Sequence, residues 1–406
     1  MAQGTSIAPA RRAAYEVVRR VFEDDAYADR VFATAAEGLD RRDRALAQQI
    51  AYGTVQRVRA LDHGIEALGR RPVRKLDPPV RAALRLGAFQ LAYLDRVAVH
   101  AAVNESVELV RAARLERAVA FTNAVMRRLA DGLRDLLDGL PEGPLKQSYP
   151  DWIYELWRRD WGEDEALALM RVQNEAPETV VRRVRGEIDG EATDVPGAWR
   201  VRRVDEHALA EGRIWPQSRG SQLAGLAVGS RPGERILDLC AAPGGKATMQ
   251  AGDVVAIELH EGRARELEEN VRRLGATNVR VVNADGLALP PGLDDFDRAL
   301  VDAPCSGLGV LAGRPDLRWR AEPLPQLQLA LLRAAAERVK PGGTVTFSVC
   351  TLNVDENEAI VDAAGLEIDD LGAEWPAFRH PKRPEFLLTT PHRHGTSGFF
   401  VARLRI

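Results

Sequence analysis

Three cysteines occur in this 406-residue chain, and two of them stand where chemistry, rather than packing, would place them. Cys305 lies in VDAPCSGLG (301–309) and Cys350 in TVTFSVCTLNVDENE (344–358). Each follows an apolar run that alternates like a strand, and each then meets proline, glycine or acidic residues. A thiolate in such a place can be a nucleophile, a metal ligand or a redox centre. The cysteines lie 65 and 45 residues apart with no CxxC pair, so neither a disulfide framework nor a zinc site is indicated. Reduced thiols in a cytoplasmic protein are the simplest reading. Cys240 ends an apolar run and fits the role of a small buried hydrophobe.

Acidic residues close three neighbouring runs. RILDLC (235–240) carries Asp238 and leads into AAPGGK (241–246). Gly244 and Gly245 would let a backbone approach a ligand, or would simply make a tight strand–helix turn. The turn is neither a P-loop nor GxGxxG, because Cys240 and Ala247 stand where a P-loop needs Gly and Ser or Thr. DVVAIEL (253–259) reaches Glu258, suited to ribose hydroxyls, and VRVVNAD (279–285) reaches Asp285, suited to an adenine amino group or a ribose. A nucleoside-type ligand beyond these strand ends is the expectation, with Asp302, Cys305 and Cys350 at the same mouth.

The elements that must position these residues form a parallel sheet. Apolar strands at 235–240, 253–259, 279–285, 297–303 and 343–350, with a last one at 398–405, alternate with helical patterns. Residues 221–406 are therefore expected to form an α/β Rossmann-like domain. Residues 1–140 read as helix after helix: Leu61, Ile65 and Leu68, and Val103, Val107 and Val110, recur at i, i+4, i+7. Between them, 141–220 looks like a small α/β linker domain, with a helical stretch at 151–173 and short basic strands at 179–185 and 199–204. Residues 1–140 carry 23 Lys and Arg against 18 Asp and Glu, and the remainder 33 against 41. A basic lobe fits a polyanion partner or an ordinary solvated surface. No run of about 18 apolar residues predicts a membrane span. The first 20 residues lack the apolar stretch of a secretory signal. The histidines form no HExxH, and no metal is expected.

ILDLCAAPGGK (236–246), VDAPCSGLG (301–309), RPDLRW (314–319) and SVCTLNVDENE (348–358) resemble, in order and spacing, the Sun-type (Fmu) RNA cytosine-5 methyltransferases. The resemblance covers about 185 residues, from PQSRGSQ (216–222) to GFFVARL (398–404). ALRLGAFQLAYLDRVAVHAAVNESVELVRA (83–112) and FTNAVMRRLA (121–130) look like NusB-type RNA-binding domains. Together they resemble the bacterial small-subunit (16S) ribosomal RNA enzymes of this type. The resemblance implies S-adenosylmethionine as cofactor, held by Cys240, Ala241, Ala242, Pro243, Gly244, Gly245, Lys246, Glu258, Asp285 and Asp302. It implies Cys350 as nucleophile and Cys305 as the second cysteine, which assists product release. Three departures stand out: only six residues (247–252) separate Lys246 from the next strand, Val349 replaces a usual threonine, and Glu258 replaces an aspartate.

Under that resemblance a Cys350 thiolate adds to carbon 6 of cytosine, and Asp302 holds N3 and the 4-amino group. Asp355, Glu356 and Glu358 would oppose a thiolate if they pointed at it, so they are expected to face away. Lys246 would bond the 303–306 turn or touch substrate. Arg314, Arg318 and Trp319 could hold phosphate and stack a base, or form a salt-bridged loop. The partner implied is small-subunit ribosomal RNA, bound by a monomer; tRNA, large-subunit RNA, or a non-catalytic RNA-binding factor are the other readings.

Overall fold

The computed structural model describes residues 7–406; residues 1–6, at the head of the expected first domain, lie outside the described residues. The chain divides into two compact units. One runs to Glu175 and takes in Leu311–Arg320; the other comprises Ala176–Val310 and Ala321–Ile406.

The first unit is helical. Its frame is Pro9–Glu23, Ala28–Ala35, Arg41–Gly69, Pro78–Tyr93, Val99–Ala112 and Glu116–Asp138. Prolines open the first and fourth of these, where no N–H is needed, and the Asp40 carboxylate caps the third by accepting from the Asp43 N–H at 2.8 Å. Leu61, Ile65, Val103, Val110, Val125 and Leu129 are buried in one core, so the stripes seen in the sequence face it. Each such side chain contributes about 1.5–3 kcal/mol when fully buried. Gly53 is needed for this packing, because a Cβ there would lie 2.0 Å from the Phe89 ring. The helical stretch at 151–173 is two helices, Asp151–Trp161 and Glu163–Val172, broken at Gly162 with φ 92°.

The stretch 141–220 is thus shared: its helices up to Val172 belong to the first unit, and its strands with the short helix Glu206–Ala210 to the second. Those strands, β1 (Val180–Arg183), β2 (Glu191–Ala192), β3 (Ala198–Arg200) and β4 (Ile214–Pro216), form an antiparallel sheet in the order β2-β3-β1-β4.

The larger sheet contains β5 (Arg235–Asp238), β6 (Asp253–Glu258), β7 (Val279–Asn283), β8 (Phe296–Asp302), β9 (Val339–Val349), β10 (Glu367–Asp369), β11 (Leu387–Thr389) and β12 (Phe399–Arg405). Its order is β10-β12-β9-β8-β5-β6-β7, with β11 also on β12. The five strands β5 to β9 pair in parallel; β5, β6 and β8 are largely buried, while β7 at the edge of the sheet is only half-buried to exposed. The final strand differs from the expected parallel sheet: β12 runs antiparallel to β9, with Phe400 opposite Val349. The three-residue β10 and β11 are too short for any alternation to show in the sequence. The β5–β6 crossover holds a single 3-10 turn, Ala247–Met249, in place of the one or two helical turns expected, yet the parallel register Ile236–Val254 is kept.

From β5 the chain proceeds outward through β6 and β7, and then returns to the other side of β5 through β8 and β9. The order reverses between β5 and β8. Ligands of open α/β sheets bind beyond the strand ends at such a reversal. Asp238 ends β5 and Asp302 ends β8, so the fold puts the residues of interest at that place.

Candidate active site

Two turns meet beyond the ends of β8 and β9. The Ala303 N–H donates to the Ser348 carbonyl at 3.0 Å, and the Gly309 N–H donates to the Cys350 carbonyl at 2.9 Å. This stitching brings residues 45 positions apart together: the Cys305 and Cys350 Sγ atoms are 3.5 Å apart. Both cysteines are partly exposed, and none of the three cysteines forms a disulfide. The Cys305 thiol is pushed well above its ordinary value, first by its hydrogen bond to Cys350, then by burial and by the charges of Cys350 and Glu356.

Beside the sulfurs lies an ion pair. Lys246 Nζ donates to Asp302 Oδ2 at 2.6 Å and stands 5.0 Å from the centre of the Phe399 ring. Ser348 Oγ donates to Asp302 Oδ1 at 2.7 Å. The expected partner of Lys246, the 303–306 turn or substrate, is therefore corrected to Asp302, one residue before that turn. Asp302 stays 30% exposed, which leaves oxygen surface for a further donor. Asp238 behaves differently. It is buried, neither of its oxygens completes a hydrogen bond, and its pKa is pushed up to about 7. Burial is the main cause and Asp302 adds to it; Lys246 and, least, the Cys240 N–H oppose. Burial, with Asp238, Asp302 and Glu258, also raises the Cys240 thiol, so it remains neutral.

The 240–246 turn packs on protein at both of its glycines. Gly244 has φ 105°, and a Cβ there would lie 2.7 Å from Leu267; one on Gly245 would lie 2.8 Å from the Trp215 indole nitrogen. The turn carbonyls are held from the helix Glu261–Leu274: Arg263 donates to Ala242 O at 3.1 Å and Asn270 to Pro243 O at 3.0 Å. Ala241 donates its N–H to Ile257 O at 2.9 Å, which ties the turn to β6. Glu258 at the end of β6 is buried and accepts from the His260 N–H at 2.9 Å. Asp285, two residues past β7, is exposed and accepts from the Leu287 N–H at 2.9 Å. Leu259 and Leu287, each within two residues of one of these acids, are exposed. Acids paired with exposed apolar side chains suit a flat heterocycle carrying a hydroxylated sugar. The leucines were missed in the sequence, where a hydrophobe at a strand end looks like core.

The arginine-rich loop takes a different place from the one expected for RNA contacts. Arg318 is fully buried in the helical unit. It donates to Gln56 O at 2.9 Å, Asn174 Oδ1 at 2.9 Å and the Tyr149 hydroxyl at 2.8 Å, and lies 3.6 Å over the Tyr149 ring. A phosphate cannot reach it. Trp319 donates its indole N–H to Val55 O at 2.7 Å and packs on the helical core, so its polar edge is spent on the protein. Arg314 faces Asp29 at 3.5 Å and Asp316 at 3.9 Å, an ion-paired loop residue. Glu356 is a second correction. It does not face away: it is buried and accepts from Ser306, directly after Cys305. Glu358 opens the helix Glu358–Ala364 as expected. Among the described residues no group of three or more His, Cys, Asp or Glu side chains could hold a metal ion.

A Rossmann-like sheet with a polar site at its reversal, joined to a helical unit, defines a methyltransferase architecture with an appended helical domain. A family model described as 16S rRNA methyltransferase RsmB/F matches residues 226–405, and a NusB family model matches residues 8–131. A Synechocystis protein named probable ribosomal RNA small subunit methyltransferase B is 34% identical over 442 residues, covering 98% of this chain and 99% of the relative. The ribosomal RNA small subunit methyltransferase B of Thermus thermophilus is 35% identical over 384 residues, covering 90% and 89%. The chain belongs to the RsmB/F family of RNA methyltransferases, with a NusB domain at its N-terminal end. The crystal structure of PH0851 superposes over 100% of both chains with a TM-score of 0.81 at 24% identity. That of NSun6 from Pyrococcus horikoshii with SFG covers 64% of this chain and 98% of its own, with a TM-score of 0.54 at 22% identity. These two likenesses are of fold.

Proposed function

We propose that the protein methylates carbon 5 of a cytosine in small-subunit ribosomal RNA, with S-adenosylmethionine as methyl donor and Cys350 as attacking thiolate. The observation that carries this reading is the 3.5 Å approach of the Cys305 and Cys350 sulfurs beside the Lys246–Asp302 pair. Residues 240–246, Glu258 and Asp285, with Leu259 and Leu287, would hold the cofactor, which supplies an electrophilic methyl group on a sulfonium. We place the reaction in the cytoplasm, on a monomer.

Carbon 5 of cytosine is a poor nucleophile, so the ring must first be activated. The Cys350 sulfur forms a bond to carbon 6, and the ring's π electrons move toward carbon 5. As the adduct forms, N3 takes a proton from solvent, which it gives back on elimination; Asp302, with an exposed carboxylate edge, accepts from that N3–H and from the 4-amino group and so stabilises the adduct. After methylation the carbon 5 proton passes to the Cys305 sulfur or to water ordered by it. The carbon 6–sulfur bond then breaks, and its electrons return to Cys350. One proton is released overall. The base must be unpaired or turned out of its stack, which costs a few kcal/mol if it starts paired.

Support for an RNA partner comes from the helical unit. A cavity of about 320 Å³ there is lined by Arg57, Arg134, Lys146 and Arg171, with Tyr93 and the acids Asp138 and Glu175 among the other lining residues. Arg57 lies 4.8 Å over the Tyr93 ring. Cations around an aromatic ring suit a nucleotide phosphate, a role the buried Arg318 cannot fill. The test is methyl incorporation from labelled S-adenosylmethionine into unmodified small-subunit RNA. Wild type should incorporate and Cys350→Ala should not; equal incorporation by both would remove the mechanism. Bisulfite sequencing of the product would assign the cytosine.

A further inference from the structure

The two sulfurs share a contact that one proton can bridge, and the structure holds an asymmetric device behind them. Glu356 is fully buried and accepts from five donors. Oε1 takes the Ser306 N–H at 3.0 Å, the Leu324 N–H at 3.1 Å and Gln328 Nε2 at 2.9 Å. Oε2 takes the Ser306 hydroxyl, and Asn353 Nδ2 at 3.2 Å. Every neighbour donates, so both carboxyl oxygens act as acceptors. Among the described residues no Lys, Arg or His pairs with it. Because Ser306 gives its hydroxyl proton to Glu356, the 2.7 Å contact between Ser306 and Thr351 must be donated by Thr351. The residues that follow the two cysteines therefore hang on one carboxylate, but unequally. Ser306, next to Cys305, is bound to it twice; Thr351, next to Cys350, reaches it only through Ser306.

We infer that Glu356 is a positioning residue that keeps the proton shared by the two sulfurs on Cys305 and so leaves Cys350 as the thiolate. The inference rests on the nucleophile role proposed for Cys350. An uncompensated charge fixed one residue from Cys305 opposes a second negative charge on that sulfur, and Cys305 then donates its S–H to Cys350. The raised Cys305 thiol agrees with this; among the main influences on it, only the Gly307 N–H opposes. Other charged groups at this end include Asp238, Asp302 and Lys246, with Lys246 engaged by Asp302, and Glu358, which faces His380 at 2.7 Å. The device also orders the later steps. Once the Cys350 sulfur is bonded to carbon 6 it is no longer an anion, and the strongest hold on the Cys305 proton is lost. That proton leaves to water, the Cys305 sulfur can take the carbon 5 proton, and elimination restores the starting pair.

The test is the pH dependence of iodoacetamide alkylation at each cysteine of the full-length apoprotein, read by peptide mass spectrometry. It needs neither RNA nor cofactor, so it stands apart from the methylation assay. In wild type Cys350 should alkylate at least about tenfold faster than Cys305 near neutral pH, a difference of one pKa unit or more in thiolate formation. Glu356→Gln should bring the two rates to within about threefold by favouring the Cys305 thiolate. Faster alkylation of Cys305 in wild type overturns the inference, and so does an unchanged ratio in Glu356→Gln. If that variant does not fold, Ser306→Ala keeps the charge and must keep the Cys350-first order; a reversed order there overturns the inference equally.

Discussion

Residues 302–309 and 311–320 are neighbouring stretches that both looked functional in the sequence, yet the fold uses them in opposite ways. The first ends a central strand and delivers Asp302 and Cys305 to the sheet's reversal point, partly open to solvent. The second leaves that unit and is absorbed by the helical one, where Arg318 and Trp319 give their donors to backbone carbonyls. A reactive thiol must keep an exposed edge and a partner that moves its proton. A buried guanidinium must have its donors satisfied, and once they are it is closed to substrate. Residue type alone does not separate these cases; what separates them is whether the side chain's polar atoms are already spent.

The contrast can be broken by substitution. The largest effect belongs to Cys350→Ala, which should reduce methyl incorporation by about a thousandfold or more, as expected for a lost nucleophile, while leaving thermal unfolding unchanged within a few degrees. Arg318→Ala should do the reverse. It orphans several buried acceptors and should destabilise the protein by about 3 kcal/mol, read as a lower denaturation midpoint, with per-molecule activity kept below that midpoint.

Asp238 sharpens the comparison, because it lies at the site yet its oxygens are buried and unspent. Its folded pKa, about 7, is above the unfolded carboxylate value of about 4, so between these the folded state binds more protons. The apoprotein's stability should therefore fall as pH rises from about 4 to about 7. Asp238→Asn should flatten that slope and stabilise the apoprotein at neutral pH by about 2 kcal/mol. A slope that survives the substitution would assign it to other groups. The smallest effect is expected at the cavity of the helical unit. Arg57→Ala or Arg171→Ala should weaken RNA binding by less than about tenfold and lower the salt dependence by about one phosphate contact, without changing the chemical step.

Much of this was legible before the fold was known, for identifiable reasons. Strands announce themselves as apolar runs, so β5 to β9 and β12 were found within a few residues of their ends. Their ends in turn predicted that Asp302, Cys305 and Cys350 share one mouth. What could not be read were partners contributed by distant chain. Lys246 meets Asp302 across 56 residues, and Glu356 meets Ser306 across 50. Ser348 had a local signal, since it lies two positions before Cys350 on an alternating strand and so points to the same side. Glu356 had none: in NVDENE it stands among acids that look solvated, and only the donors gathered around it mark it as interior.

The central claim is a covalent bond between Cys350 and the RNA base, and its most direct test is to trap that bond. Cys305→Ala protein, incubated with unmodified small-subunit RNA and S-adenosylmethionine, should accumulate a complex that survives denaturing electrophoresis, with the nucleotide mapped by mass spectrometry to Cys350. A cross-link mapped to any other residue, or full methylation by a Cys350→Ala protein, would contradict the account.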